Sequence, residues 1–322
     1  MQKNENMKKS AVCENELFQG SDVLIIGNGF DLDLNLKTSY SNFYQSNYWP
    51  FNNPSTRMGE YLQKERERTN NWMDLETKLG DYACTGHHGV GVPFRLDILQ
   101  ENNQSDQELL IERLNDYLKE AEKGEIEHDS IAAVVLKANL TSTALPHIFS
   151  FNYTDLHMIA DKLGINTEFN YHHVHGSLQS NNIILGVGEN YSDNTHHHLP
   201  LEMDFLYKTS SPNYRPPQMA DILNKSTQIT FFGLSLGGMD APYFSGLFHN
   251  LSSQEGKRIT FFTYDNMSRL QLLRHLRNVE AINLNDIWTR HSLNFICTSN
   301  PNDKSKVDEY IQNLKYRFEP YI

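Results

Sequence analysis

Two glycines directly after an apolar run form the most position-specific pattern in the chain. The run ends at residue 26 and is followed by Gly27, Asn28 and Gly29, then by Phe30 and Asp31. Glycine lets a backbone turn tightly and approach a ligand, and the free N–H groups of a helix start attract an anion. The pattern predicts a first strand that delivers the phosphates of a nucleotide to the start of a helix.

This pattern is not the full dinucleotide fingerprint. The fingerprint is G-x-G-x-x-G, and Leu32 occupies the position of its third glycine. A tight strand-to-helix turn that binds no ligand therefore stays open as an alternative. Asp31 also has two interpretations, because its carboxylate could cap the helix by accepting backbone N–H bonds or could face a ribose hydroxyl.

Polar side chains follow a second strand-like run, residues 146–151. Asn152 comes directly after this run, and Asp155 opens a helical pattern. Ligands of open parallel sheets bind at the carboxyl ends of the strands, so the Asn152 amide could orient a water or a ribose hydroxyl. On spacing alone, the better-supported alternative is that both residues only cap the following helix.

A third run, residues 168–175, carries histidines. His175 ends it, directly before Gly176, and its imidazole could act as a general base because its pKa lies near neutrality. Alternation places His173 on the same face, which is also a spacing of metal ligands, and His196–His198 follow in sequence. No acidic residue in the strand supports such a set, so we predict no metal site.

A fourth motif offers a competing chemistry. Residues 233–237 match G-x-S-x-G, the nucleophile elbow of serine hydrolases, with Ser235 as nucleophile. Asp265 and either His275 or His291 could complete a triad in the order Ser, Asp, His. This hypothesis predicts a serine hydrolase in place of a nucleotide site.

Glu76 is a further candidate for a polar group in the cleft. Trp72 and Glu76 stand four residues apart, so on a helix they share one face. Trp72 is expected in the core. Glu76 is then either solvated or directed into the cleft.

Composition limits the class of protein. The chain has 322 residues, 39% of them hydrophobic, and a formal net charge of −12, which argues against a mainly electrostatic binder of nucleic acid. Its three cysteines, Cys13, Cys84 and Cys297, form no C-x-x-C pair and indicate neither a zinc ribbon nor a disulfide framework. No signal-peptide core or membrane span is recognised. We therefore expect a cytoplasmic protein.

The elements that must position these residues alternate between strands and helices. Strands are predicted at about 22–27, 146–151, 168–175, 182–187, 227–233, 258–264 and 293–297, and a helix at 32–46. A mostly helical block covers about 56–143. This order predicts an α/β fold with a Rossmann-like parallel sheet covered on both faces. We expect a polar lead-in at 1–20 and a single domain at 21–322 with a helical insertion at about 56–143.

Several segments in order resemble the phage abortive-infection AbiH family. They are IIGNGFDLDLNLKTSYSNF, NWMDLE, FSFNYTD, HVHGSL and FGLSLGGMD, with FFTYD following at 261–265. The same motifs are more distantly similar to the catalytic core of sirtuins and of sirtuin-like NAD hydrolases. The resemblance implies antiviral defence, a nucleotide-binding cleft and NAD as substrate or ligand, with no prosthetic group.

The sirtuin likeness also implies roles for individual residues. His175 stands at the catalytic histidine and Asn152 at the asparagine that handles NAD. The loop 27–31 would hold the pyrophosphate, with Gly176, Gly233, Ser235 and Asp265 also expected at the ligand. The four zinc-binding cysteines of sirtuins are absent, which argues against protein deacylation. A module that senses nucleotides without catalysis stays open, as does a homo-oligomer or a partner from the same defence system.

Overall fold

The computed structural model describes residues 22–69, 74–85, 96–142, 144–191, 199–216, 218–237, 239–278 and 283–315. Its centre is a six-stranded, entirely parallel sheet in the order β3-β2-β1-β4-β5-β6. The strands are β1 (Asp22–Ile26), β2 (His147–Ser150), β3 (Tyr171–His173), β4 (Gln228–Phe232), β5 (Arg258–Thr263) and β6 (Ser292–Cys297). This is the strand order of dinucleotide-binding folds, and it reverses between β1 and β4. The predicted α/β, Rossmann-like fold is confirmed.

The central strands β1 and β4 are buried along their whole length because both faces of the sheet are covered. In β1, Leu24 and Ile26 enter the core on one face, whereas Val23 and Ile25 enter the core on the other. Helices on the first face are α1 (Asn28–Asp33), α6 (Ile131–Leu140), α7 (Leu156–Lys162) and α12 (Lys304–Lys315). Helices on the second face are α8 (Ala220–Lys225), α9 (Ser245–Leu251), α10 (Asn266–Asn278) and α11 (Leu284–Arg290).

A third apolar core lies outside these layers and defines what we call the helical lobe. The lobe consists of α2 (Tyr40–Gln45), α3 (Arg57–Arg68), α4 (Leu75–Thr85) and α5 (Leu96–Ala121), joined by residues 178–191 and 199–206. Its aromatic centre packs Phe43, Tyr44 and Phe51 around Trp49, with ring centroids 4.9 to 5.6 Å apart. The chain therefore enters the lobe twice, before β2 and again after β3.

The predicted insertion at 56–143 is helical in most of its described residues, but it does not act as one unit. Helices α3, α4 and α5 build the lobe, whereas α6 carries Val135 and Leu136 into the core on the first face of the sheet. Ser130 caps α6 by accepting from the Ala133 N–H group. Helix α6 is thus the crossover helix between β1 and β2.

Two sequence predictions are wrong. The apolar run at 182–187 forms no strand apart from a single bridge between Val187 and Tyr207, because Ile183 and Leu185 are buried in the lobe core instead. The helix predicted at 32–46 is two helices, with α1 beginning earlier, at Asn28. Asn35 has a φ of +68°, which no α-helix allows, so the chain turns before α2.

Some predictions fall on residues outside the described ranges. These are the lead-in at 1–20, Trp72 and His196–His198. Among the helices that the structure describes, none combines the length and the apolar character that crossing a lipid bilayer requires.

Candidate functional site

A cleft of about 440 Å³ opens where the carboxyl ends of β1, β2 and β4 face the helical lobe. The strand order reverses at this edge of the sheet, which is where ligands of open α/β sheets bind. The cleft brings together these predicted site residues: Asn28, Asp31, Asn152, His175, Gly233 and Ser235. Glu76 also lines it, so the lobe contributes a carboxyl group to the same site.

The glycines after β1 and β4 let two turns pack backbone against backbone. A Cβ on Gly29 would lie 2.6 Å from the Gly233 Cα, and a Cβ on Gly27 would lie 2.8 Å from the Gly233 carbonyl oxygen. Gly233 itself has a φ of +66°. The glycines are thus required for contact between the two turns, whatever the cleft binds.

The N–H groups of the first turn bond within the protein in this structure. Gly29 donates to the Gly233 carbonyl at 3.0 Å, and Phe30 donates to the Gly27 carbonyl at 2.9 Å. The Asn28 side chain is held by the Thr38 hydroxyl, which donates to its Oδ1 at 2.7 Å. A phosphate at this turn would therefore need other donors than Gly29 and Phe30.

Asn152 connects the end of β2 to this turn. Its Nδ2 donates to the Gly27 carbonyl at 3.1 Å and to Asp31 Oδ1 at 2.8 Å. Both amide hydrogens are thus used inside the protein, and only Oδ1 of Asn152 is left for a ligand. Asn152 does not cap helix α7; Asp155 does, by accepting from the His157 N–H group at 2.9 Å.

Asp31 is buried in the cleft wall as part of this connection. Thr154 donates to its Oδ2 at 2.9 Å while Asn152 donates to Oδ1. Burial raises the pKa of Asp31 to about 7, although the hydrogen bonds from Thr154 and Asn152 oppose the shift. Asp31 is therefore not the helix cap, a position that Gly27 occupies, but a carboxyl group that titrates near neutrality.

His175 is buried directly after β3, and its imidazole faces Asp240. The His175 Nε2 lies 3.1 Å from Asp240 Oδ1. Burial and the charge of Lys208 lower the pKa of His175 to about 4, against the effect of Asp240, so the ring is neutral at pH 7. Burial alone would raise the pKa of Asp240, but its hydrogen bond with His175 and the Lys208 charge lower it overall. A neutral imidazole thus faces a carboxylate.

Gly176 makes the turn that places His175. Its φ is +79°, and a Cβ there would lie 2.0 Å from the Asn182 carbonyl oxygen. Aromatic rings cover the imidazole, with the Phe151 and Tyr243 centroids 5.2 and 5.6 Å from it. These rings limit the access of water to His175.

Lys208 and Glu76 adjoin this pair. The Lys208 Nζ donates to Glu76 Oε2 at 3.0 Å and lies 3.4 Å from His175 Nε2. Burial raises the pKa of Glu76 to about 7, and Lys208 opposes that shift. Sequence reasoning missed Lys208, which no motif marks, and missed Asp240, which ends the segment FGLSLGGMD at the carboxyl side of β4.

No serine triad is assembled in the described part of the chain. Ser235 is exposed, and its Oγ accepts from the Gly237 N–H group at 3.2 Å. The His275 Nδ1 lies 2.9 Å from the backbone oxygen of Ser235 and bonds there, while Asp265 Oδ1 accepts from Ser268. The geometry therefore contradicts a serine hydrolase with His275.

The other predicted residues lie apart from the cleft. His291, the alternative triad histidine, is buried and bonds to the backbone of Lys257 and Leu251. Asp265, expected at the ligand, holds the start of α10 and does not line the cleft. His173 faces the Asn152 carbonyl and the Tyr171 hydroxyl. Within the described ranges, no three His, Cys, Asp or Glu side chains are grouped as metal ligands.

Comparison with known protein families gives a match over most of the chain. The model of a family described as bacteriophage abortive infection AbiH matches residues 23–264, which is most of the chain and contains every residue of the cleft described above. No curated protein matches the chain significantly.

Proposed function

Because the chain belongs to the bacteriophage abortive infection AbiH family, we propose that its cleft hydrolyses the N-glycosidic bond of a nucleotide, with NAD as the first candidate. Family membership supports a role in defence against phage by abortive infection. The observation that carries the proposed reaction is the neutral imidazole of His175, held against Asp240 in a cleft at the reversal point of the sheet.

The acidic character of the cleft favours this reaction. N-glycosidic cleavage passes through an oxocarbenium-like state in which positive charge develops on the ribose, by analogy with glycoside hydrolysis. Asp240 is ionised, and Asp31 and Glu76 have pKa values raised to about 7. Carboxylates placed beforehand around a developing cation stabilise it. They also favour a ligand whose leaving group is a cationic pyridinium ring, as in NAD.

His175 supplies the base in this proposal. When Nε2–H donates to Asp240, the lone pair resides on Nδ1, which can accept a proton. The bond between the ribose C1′ and the pyridinium nitrogen breaks, and its electron pair neutralises the leaving nicotinamide. A water oxygen forms the new bond to C1′, and its proton passes to Nδ1 of His175. General base help of this kind contributes about 10²–10⁴-fold.

Asn152 has a narrower role than an amide that is free to rotate. Its Nδ2 holds the Gly27 turn and Asp31, so only Oδ1 is left to accept a hydrogen bond from a ribose hydroxyl. Loss of Asn152 would thus disturb the turn, the carboxyl group and the ligand together.

Purified protein incubated with NAD, followed by chromatography for nicotinamide and ADP-ribose, tests the proposal. We expect release by the wild-type protein and a loss of at least about 100-fold in the His175→Ala variant. His249→Ala is the matched control, since His249 is an exposed histidine on α9. The same variants, expressed in infected cells, show whether NAD falls during infection.

Two outcomes would overturn the proposal. One is nicotinamide release by a folded His175→Ala variant at the wild-type rate. The other is the absence of any release, both from the purified protein and in infected cells. Thermal stabilisation by NAD or ADP-ribose without product would then favour a sensing module.

A further inference from the structure

The reaction proposed above gives no role to Lys208, which forms a buried pair with Glu76 beside the cleft. Lys208 has an exposed fraction of only 3% and Glu76 of 9%. The ammonium group of Lys208 lies between the Glu76 carboxyl group, at 3.0 Å, and His175 Nε2, at 3.4 Å. Lysine is almost never this buried unless it is paired, so the position requires a reason.

The backbone fixes both ends of this arrangement. The Lys208 N–H group donates to the Val187 carbonyl at 2.9 Å, and the Ile184 N–H group donates to the His175 carbonyl at 2.9 Å. Glu76 comes from α4 of the helical lobe, whereas His175 follows a strand of the sheet. The ammonium group therefore joins the lobe to the imidazole through rigid elements.

We propose that Lys208, held in place by Glu76, is a positioning residue that keeps His175 neutral, while Asp240 selects Nε2 as the protonated nitrogen of the ring. The proposal rests on the proposed function only for its effect on catalysis, since the state of the imidazole is measurable without any substrate. It also gives the helical lobe a task in the site, because the lobe provides the Glu76 carboxyl group.

Charge and hydrogen-bond type give Lys208 and Asp240 opposite effects on His175. An ammonium group has only donors, so it cannot accept from an Nε2–H group, and its positive charge disfavours an imidazolium. Asp240 acts in the opposite sense, because a carboxylate favours Nε2–H and a positive ring. Asp240 lies nearer, at 3.1 Å, and selects the protonated nitrogen, while Lys208 and burial keep the ring from gaining a second proton.

Other charged and titratable groups surround the pair without changing this balance. Asp74 lies near Glu76, and its charge adds to the effect of burial in raising the pKa of Glu76. Tyr40 and Tyr153 also lie near Glu76, and burial raises the pKa of both hydroxyl groups, so both are neutral. Tyr243 packs against the imidazole, and its own pKa is raised by burial, so it is neutral. Lys208 is the one cation that acts on His175 among the described residues.

The pKa of His175, measured by NMR of protein labelled with ¹⁵N-histidine and without substrate, tests the proposal. His175→Ala identifies the resonance. We expect Lys208→Met to raise this pKa by about 1 to 3, the range typical of a charge this close. Lys208→Arg keeps the charge and should keep the pKa low. Lys257→Met is the matched control, since Lys257 is also buried but bonds to backbone carbonyls near α8.

Activity measurements separate positioning from a structural role. Lys208→Met should lower kcat at pH 6 by up to about tenfold, the largest loss if the pKa of His175 rises by about 3, because part of His175 is then protonated, and should change KM much less. The acid limb of the pH profile should move upward with the NMR pKa. If Lys208→Met does not fold, the double variant with Glu76→Gln removes both charges and is measured in the same way.

The outcomes are distinct. An unchanged His175 pKa in Lys208→Met, or an equal rise in Lys257→Met, overturns the proposal. A raised pKa with no hydrolysis of NAD by the wild-type protein supports the positioning role and overturns the proposed function. A raised pKa with a parallel shift of the pH profile supports both.

Discussion

At the scale of single residues, Asp31 shows most directly how burial affects the cleft. Its pKa is raised to about 7, so the folded state keeps a proton that the unfolded state loses above about pH 4. A raised carboxyl pKa means that the free energy of unfolding falls as the pH rises from about 4 to 7. Above pH 7 Asp31 is ionised in both the folded and the unfolded state, so the free energy of unfolding falls no further on its account.

Asp31→Asn should remove this dependence. The amide is neutral at every pH, and it can still accept from Asn152 and donate to the Thr154 hydroxyl, as the Asp31 site requires. Relative to the wild type, we expect the variant to gain roughly 2–3 kcal/mol between pH 5 and pH 8. Urea unfolding at both pH values measures the difference. The titrations of Glu76 and His175 are common to both proteins and cancel.

Asp161→Asn is the control, because Asp161 is an exposed residue on α7. Its replacement changes no buried carboxyl group, so it should give a difference in the free energy of unfolding that does not change with pH. A difference for Asp31→Asn that is equally constant would contradict the raised pKa.

Motifs in the sequence identified part of this site. Asn152 could be predicted because it follows an apolar run that becomes a strand, and His175 because it ends a strand-like run. The carboxyl ends of parallel strands meet at one edge of the sheet. Lys208 could not be predicted, because it comes from a short 3-10 turn at Lys208–Ser210 with no periodicity. Its approach to His175 depends on the return of the chain through the lobe, which local patterns do not encode.

At the scale of elements, the contact between the turns after β1 and β4 fixes the floor of the cleft. Gly233 has a φ of +66°, and a Cβ there would lie 2.4 Å from the Gly29 backbone. Gly164 is the matched control, since its φ is +69° but nothing lies within 4 Å of a Cβ. The two positions share the conformational cost of a left-handed residue and differ in the clash.

Gly164→Ala should therefore lower the free energy of unfolding by about 1–2 kcal/mol, the cost of the left-handed conformation alone. Gly233→Ala should lower it by at least about 1–3 kcal/mol more, because two backbones must separate. Urea unfolding of both variants gives the comparison. Equal losses would show that the turns can move apart freely, and would remove the basis for a rigid floor.

The strands and helices were predictable to different degrees for a physical reason. Strands buried on both faces are mostly apolar, so β1, which has four apolar residues after Asp22, stands out from the sequence. The run 182–187 has the same character, yet it packs in the lobe core without forming a strand. A buried strand and a buried segment without strand pairing have the same apolar pattern in the sequence, and only their tertiary contacts distinguish the two.

At the scale of the whole molecule, the chain passes through the lobe twice, and strands of the sheet lie between the two passes. The lobe core combines residues from α2–α5 with residues of the later segments 178–191 and 199–206, which the chain reaches only after β2 and β3. The Gln107 Nε2 donates to the Leu185 carbonyl at 2.9 Å, which ties the two passes together. The lobe therefore cannot complete its core unless β1 to β3 hold the two passes close together.

This interleaving predicts that lobe and sheet unfold together. Trp49 is buried in the lobe, and Trp288 on α11 lies 6.3 Å from the Phe295 ring of β6, so each reports on one part. The double variant Trp72→Phe with Trp288→Phe keeps only Trp49, so its fluorescence follows the lobe. The double variant Trp72→Phe with Trp49→Phe keeps only Trp288, so its fluorescence follows the sheet. We expect the urea midpoint of each to coincide with that of far-UV circular dichroism in the same protein. A Trp49 transition at lower urea would instead show a lobe that opens on its own, and would separate Glu76 from Lys208 before the sheet unfolds.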